Sequence, residues 1–589
     1  MNLPLRILDG IGPFFVGHPR GRINWSKIPF WRFELGADGE GGGVDGSGLD
    51  EEALEVVVHQ FSRFAERAAS LGFTHLTLDD LAHLYDWPGY RPALRRRIAA
   101  YRRHFARLFE IAEHYGLRIL LTSDVLSYTP ELERELGRRP RRIGRWLRDA
   151  CGTLLDDYPQ IDGIILRVGE SDGVDVQGEF RSRLVLRSPR HLRGLIERLL
   201  PTFEDRGRLL IVRTWSVGAY HLGDLIWHRG TFRSTFAGLD SDALVLSMKY
   251  GESDFFRYLP LNAHFFRSGH KKILELQARR EYEGFGEYPS FVGWLHEEHR
   301  AQLAAAENLV GFSVWCQTGG WSRFRRLTYV GDESFWIELN VETCMAIFGR
   351  GESVAEALRS FCARRGTEGS ARRAAALAEL LRYGEAAILD LLYLREFAEQ
   401  KLFFRRLRMP PLISVFWDNV LVNHTVRQLL RALVRDGERA IYEGDQGLAA
   451  IRRMIDLAPE AGAPVEDLVF MLDTFEILAV ARRYYFREYR PEIARRLERL
   501  RARYETRYGG AAGERYQIHL DFRPVRWKSG QVRRAMGLLL RRERGYRWLD
   551  RVVTLRLLRL ARPAVRLASR RVAPRTLSET AMGVDSVLL

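Results

Sequence analysis

The amino-acid sequence predicts an α/β protein, a (β/α)8 TIM barrel followed by an all-α C-terminal domain. Two observations carry this expectation. Between about residues 20 and 320, short apolar or β-branched runs alternate with longer amphipathic stretches, the order that builds a parallel sheet covered by helices. The runs recur at an even step, and beyond residue 341 they give way to long helical periods.

In chain order, eight runs read as strands. They are FWRFEL ending near Glu34, THLTLDD near Asp79, RILLTSD near Asp124 and GIILRVGE at Glu170, then LLIVRTW near Arg213, ALVLSMK near Lys249, KILELQARRE near Glu281 and LVGFSVW near Trp315. Successive ends lie 45, 45, 46, 43, 36, 32 and 34 residues apart, each room enough for a strand, a helix and their loops. Eight such units are the number that closes this barrel. The stretches 51–69, 92–114 and 189–203 supply intervening helices, and 372–400, 465–485 and 491–508 read as helices of the second domain. The expected division is a barrel over 1–340, a helical domain over 341–520 and a basic helical tail over 521–589.

Composition narrows the function classes. A chain of 589 residues exceeds one hydrophobic core, and 46% apolar with 28% charged residues is the balance of a globular protein rather than a disordered one. The cysteines Cys151, Cys316, Cys344 and Cys362 form no C-x-x-C pair, so neither a zinc site nor a disulfide framework is indicated, and a reducing compartment, the cytoplasm, is expected. Residues 1–22 show no continuous apolar segment of the signal-peptide kind, and no 18 apolar residues run together.

The net charge of +16 is concentrated at one end: 521–575 carries 17 Lys or Arg against three acids, leaving the remainder near neutral. A nucleic-acid footprint therefore does not belong to the body of the protein. Within 531–571, Leu, Val, Ala and Trp stand among many Arg, as in a basic amphipathic helix broken by Pro563. Packing on the barrel or on a second subunit is the favoured reading. An anionic membrane surface is the next, and nucleic acid the least favoured, since no recognition module is present.

In this fold the loops at the C-terminal ends of the strands form the site. There the sequence places Glu170, Arg213, Lys249, Asp254 and Glu281. Breaking a glycosidic bond needs one carboxylic acid to protonate the leaving oxygen and a second carboxylate on the other face of the ring. Arg167, Arg213 and Lys249 offer a fork and a point charge to an anionic sugar, or else neutralise the acids in an ion-pair network. Asp79, Asp80 and Asp124 read as helix caps or pocket floor, and Trp215, Trp315 and Trp321 as rim packing or sugar platforms. Of these, Asp124, Trp215 and Trp315 join the expected substrate contacts. His75 reads as buried in the second strand, and the run His296, Glu297, Glu298, His299 as helix surface, because it lacks the i, i+4 His spacing of a zinc protease. No metal or organic cofactor is called for.

These residues bring the sequence close to a known family. Met248-Lys249-Tyr250-Gly251-Glu252-Ser253-Asp254-Phe255 resembles the I-K-N-G-x-I-D-F stretch of the glycoside hydrolase family 67 α-glucuronidases. Glu275-Leu276-Gln277-Ala278-Arg279-Arg280-Glu281-Tyr282 is similar to that family's E-L-Q-I-T-Q-E-Y, with Glu275 expected inside the seventh strand. Arg167 to Gly173 resembles the segment bearing the family's general acid, Val212-Arg213-Thr214-Trp215 the segment of its substrate-holding Arg, and 339–350 its entry into the helical domain. The family's opening β-sandwich has no counterpart in this sequence. The resemblance implies an inverting hydrolase of an α-linked uronic acid in an oligosaccharide, with Glu170 as acid, Asp254 and Glu281 activating water, and Lys249 on the uronate. The rival expectation is a non-catalytic or differently reacting barrel that binds acidic saccharide at a membrane. A third is an interaction protein led by its helical half.

Overall fold

The computed structural model describes residues 1–10, 48–169, 180–182, 184–216, 222–316, 334–404, 406–509, 515–524 and 528–541. Eight parallel strands close into a barrel: β1 Leu5–Asp9, β2 His75–Asp79, β3 Arg118–Asp124, β4 Ile161–Arg167, β5 Leu209–Arg213, β6 Leu244–Lys249, β7 Lys271–Gln277 and β8 Leu309–Trp315. Each lies beside its sequence neighbours, and β1 completes the ring by pairing with β8 (Leu5 opposite Gly311, Asp9 opposite Trp315) and with β2 (Ile7 opposite His75).

Seven of the strands are those expected from the sequence; the first is not. FWRFEL, ending near Glu34, lies outside the described residues, and the strand between β8 and β2 is LRILD at 5–9. Its own alternation explains why: Ile7 sits in the barrel interior and Asp9 at its mouth, while Leu8 packs outward against the helices. A five-residue strand ending at Asp9, 70 residues before Asp79, breaks the even step on which the expectation relied.

The barrel is a filled core. Ile7, Leu120, Ile165, Ile211, Val245 and Ile273 form one inner cluster contributed by six strands. Because side chains alternate along a strand, the residue two positions further on points to the same interior. That rule lifts Asp9, Thr122, Arg167, Arg213, Ser247 and Glu275 above the apolar layer, and the next step along β3, β6 and β7 brings Asp124, Lys249 and Gln277 to the mouth. Outside, helices α1 Glu51–Leu71 and α2 Pro92–His114 show the expected placement. Asp50 caps α1 by accepting from the Ala53 N–H at 3.0 Å, and Gly72 ends it in the left-handed conformation that glycine adopts without steric cost.

Beyond the barrel, helices Val354–Arg364, Ser370–Ala387, His424–Leu433, Gly437–Ala461, Val465–Phe486 and Pro491–Tyr508 form the helical C-terminal region. The expectation that strands stop near 341 is corrected here. Two small sheets stand among the helices: Phe403–Phe404 with Leu407–Arg408 and Leu540–Arg541, and Val415–Phe416 with Asn419–Asn423 and Gln517–Asp521. Strands of two to five residues show too little alternation to stand out in a helix-rich sequence. The first part of the expected tail, 521–541, thus joins both sheets, Asp521 ending the strand Gln517–Asp521 and Leu540–Arg541 pairing with Phe403–Phe404, with helix Ser529–Leu539 between them. Residues 542–589, the larger part of the basic tail, lie outside the described residues. No helix of the described residues is long and apolar enough to cross a membrane.

Candidate active site

The mouth of the barrel collects charge that the fold would otherwise keep in water. Asp9, Asp79, Asp124, Arg167, Arg213, Lys249, Asp254, Glu275 and Glu281 are all buried. Burying charge is tolerated only where partners compensate it, and the compensation divides the mouth into three groups.

The first surrounds Arg167 on β4. Its Nε donates to Asp124 Oδ1 at 3.0 Å and its Nη1 to Asp79 Oδ1 at 3.1 Å, with the guanidinium wholly buried. Burial, with the charges of Asp80 and Asp124, pushes the Asp79 carboxyl well above the usual carboxylate range despite Arg167. Asp80 caps the short 3-10 turn Leu81–His83 and bonds His83 Nδ1 at 2.7 Å. For Arg167 the geometry displays the ion-pair alternative: its fork is taken by two aspartates.

The second group surrounds Arg213 on β5. Its Nη2 donates to Asp9, Glu275 lies 3.7 Å from its Nε, and its guanidinium sits 4.4 Å over the Trp315 ring. Asp9 also accepts from Thr77 Oγ1 at 2.9 Å, and Glu275 accepts from Ser247 Oγ. Asp9 and Glu275 had no assigned role at the sequence level. The period-two signal was present for both, since each stands two residues beyond an inward isoleucine, Ile7 and Ile273.

The third group holds the expected carboxylate pair. Lys249 Nζ donates to Asp254 Oδ1 at 2.5 Å, the Phe255 N–H to the same oxygen at 3.0 Å, and the Tyr282 hydroxyl to Oδ2 at 2.8 Å. The ammonium also lies 4.2 Å from the Trp215 ring centre, 4.6 Å from Phe255 and 5.2 Å from Trp315, a cage of negative ring faces. Glu281 follows β7 by four residues, its N–H donating to Gln277 Oε1 at 2.9 Å. Burial first, and the nearby Asp254 charge second, push its carboxyl up to about 8. Burial and Asp254 likewise hold the Tyr282 phenol well above its ordinary value, which keeps it a donor.

The structure therefore brings together Lys249, Asp254, Glu281, Trp215 and Trp315, and places Arg213, Arg167 and Asp124 along the same rim. Glu170, the expected acid, and Trp321 lie outside the described residues. His75 is buried as expected, at the opposite end of the barrel, where its Nε2 meets Asp162 at 3.1 Å. The helix-surface expectation for 296–299 is corrected in part. Glu298 is exposed and Glu297 half-buried, but His296 and His299 are buried against Tyr250, because residues three apart share a helix face. No group of three or more His, Cys, Asp or Glu suited to holding a metal ion occurs among the described residues.

One wall comes from the C-terminal region and had no signal in the sequence. The hairpin joining Val415–Phe416 to Asn419–Asn423 sets Trp417, at φ 54°, with its ring 6.2 Å from Tyr282 and only 26° from parallel. Trp417 is buried, and a tryptophan keeps this left-handed conformation only where its surroundings hold it.

A closed eight-stranded barrel with a carboxylate-lined mouth is the class these features define. Among solved structures, the chain is similar in fold to a GH138 enzyme targeting pectin rhamnogalacturonan II, with 11% identity and a TM-score of 0.51 over 86% of this chain and 62% of that one. The chain thus spans less than two thirds of that relative's length. Weaker likenesses include CpGH84B, 9% identical with a TM-score of 0.35 over 87% of this chain and 71% of that one. The endoglucanase Cel5A of Pseudomonas stutzeri is another, 11% identical with a TM-score of 0.31 over 48% and 85%. No family model matches the chain, and no curated protein does.

Proposed function

We propose that this chain is a glycoside hydrolase that inverts configuration while releasing an α-linked uronic acid from an oligosaccharide. The observation that carries the reading is the unequal environment of two adjacent buried carboxyls. Asp254 is wrapped by an ammonium, a phenol and a backbone N–H, whereas Glu281 is driven up to about 8 and keeps its proton near neutrality. Carboxyls whose surroundings differ in this way are how one fold performs acid and base work together. Asp254 then takes a proton from the attacking water, Glu281 donates to that water and orients it, and Glu170 protonates the leaving oxygen. An inverting site keeps its acid roughly 6.5–9.5 Å from its base so that the water fits between them. The name of the GH138 enzyme among the fold likenesses agrees with a saccharide substrate.

The uronate preference rests on Lys249 and Arg213, each facing the mouth. Both already hold carboxylate partners, so a bound uronate exchanges with Asp254 or with Asp9 and Glu275 rather than filling an empty place. The protonated Glu281 removes one competitor for them. The cytoplasmic placement belongs to the same proposal; the four cysteines are buried and unbridged.

The raised Glu281 also favours a second assignment, in which Glu281 itself is the acid. Leaving-group dependence separates the two. The acid's Gln variant loses far more turnover on phenyl than on 4-nitrophenyl α-glucuronide, because only the poorer leaving group needs the proton. Glu170→Gln showing this pattern supports the first assignment and Glu281→Gln the second. Glucuronate binding with no turnover of either aryl glycoside by the intact protein would overturn hydrolysis and leave the non-catalytic binder.

A further inference from the structure

The two acid-bearing loops are held by a carboxylate that the chemistry above does not use. Glu283 is wholly buried two residues beyond Glu281. Its Oε1 accepts from Arg280 Nη2 at 2.6 Å and from the Tyr393 hydroxyl at 2.6 Å. Its Oε2 accepts from Ser290 Oγ, from Arg280 Nε at 3.2 Å and from Arg257 Nε at 3.4 Å.

These donors come from three places. Arg280 and Ser290 belong to the loop that carries Glu281. Arg257 lies three residues beyond Asp254 on the other acid's loop. Tyr393 belongs to the C-terminal region, directly after its π-helical turn Ile388–Leu392. The tyrosine hydroxyl bridges a second time, accepting from the Arg257 N–H at 3.3 Å. Arg257 continues outward to Phe291 O at 2.6 Å and to Glu385 Oε1 at 3.3 Å.

We propose that Glu283 is a positioning residue, clamping the Asp254 and Glu281 loops into one rigid unit, with Tyr393 tying that unit to the C-terminal region. The proposal deepens the reading of Asp254 and Glu281 as the working pair and rests on it. Three further features fit. Arg280 sits at φ 57°, a conformation a non-glycine residue keeps only when its surroundings hold it there. Burial opposes the Glu283 charge, but Arg280 and Arg257 override it and bring the carboxyl down to about 2, so the clamp stays charged at any working pH. The loop cannot close on its own either: Glu287 further along it meets Arg515, and Tyr288 meets the Tyr516 hydroxyl at 3.0 Å, both from the C-terminal region.

The test uses the intact protein and the titration of Glu281, which senses its distance from Asp254 and its exclusion of water. The groups facing Glu281 are Asp254 and Lys249 from β6 and the loop after it, and Arg279 and Tyr282 on its own loop. Difference infrared spectroscopy of the carboxyl band, assigned by its loss in Glu281→Gln, gives the midpoint. Tyr393→Phe removes one hydroxyl and leaves the buried charges paired; Glu283→Gln removes the charge. Loosened loops let water in and part the acids, so both variants move the midpoint toward the ordinary carboxylate range by at least about half a unit, and Glu283→Asp moves it less than Glu283→Gln. A merely structural role would lower the melting temperature and leave the midpoint in place. That outcome in Tyr393→Phe overturns the proposal, even where Glu283→Gln fails to fold. On 4-nitrophenyl α-glucuronide the same variants lower kcat at unchanged KM. A wild-type protein inert on that glycoside defeats the substrate reading alone, because the infrared midpoint still judges the clamp.

Discussion

Replacing Glu281 by Gln should make the protein's stability less sensitive to alkali. In the folded protein the carboxyl is raised from 4.5 to about 8 by burial and by Asp254. Between those two values the folded chain holds a proton that the unfolded chain has released. Stability therefore falls as pH rises across that window, at a rate of up to about 1.4 kcal/mol per pH unit, and levels off once the folded group has also ionised. Gln is neutral at every pH and nearly the same shape, so it removes that slope. Urea unfolding followed by tryptophan fluorescence, run on both proteins from about pH 5 to about pH 9, should show Glu281→Gln gaining on the wild type by several kcal/mol in all. The proton is shared within a coupled pair, so Asp254→Asn should also flatten the wild-type slope by removing the charge that helps hold it. A stability difference between wild type and Glu281→Gln that stays constant over the whole range would refute the buried, repelled carboxyl on which the functional reading stands.

Other expectations follow from the same geometry. Lys249→Met strips Asp254 of its 2.5 Å partner and leaves a buried charge, which should cost on the order of 3–5 kcal/mol in the same unfolding assay. Around Arg167, burial pushes the Asp79 carboxyl toward its neutral form, so Asp79→Asn is predicted to cost less than Arg167→Met, which strands both aspartates, as thermal melts would show. Tyr282→Phe removes one of the three donors to Asp254 and should lower kcat about tenfold, on the order of 1.4 kcal/mol, with little change in KM. Trp417→Ala, which unseats the Tyr282 ring, should reproduce that loss in the same assay without touching the acids directly.

The periodic part of the molecule was legible without coordinates. A parallel strand buried on both faces must read as a short apolar run, and a helix covering it must show one apolar face, so seven strands and the helices between them announce themselves in the sequence. The residues at and just beyond the strand ends announce themselves too, because a barrel places its mouth there, where Lys249, Asp254 and Glu281 come together.

What escaped the sequence was decided by closure and by contacts between distant segments. Only the ring's closure makes LRILD at 5–9 a strand and sets Asp9 against Arg213, 204 positions away. Whether a buried arginine meets a ligand or an aspartate depends on which strands flank it, so the double hold of Asp79 and Asp124 on Arg167 had no local signature. The same is true of Tyr393 on Glu283 and Trp417 against Tyr282, which are 110 and 135 residues apart. Hydrophobic period is a property of neighbours along the chain and can be read there. The pairing of buried charges is a property of neighbours in space, and in this protein it is settled where the two acid-bearing loops meet the C-terminal region.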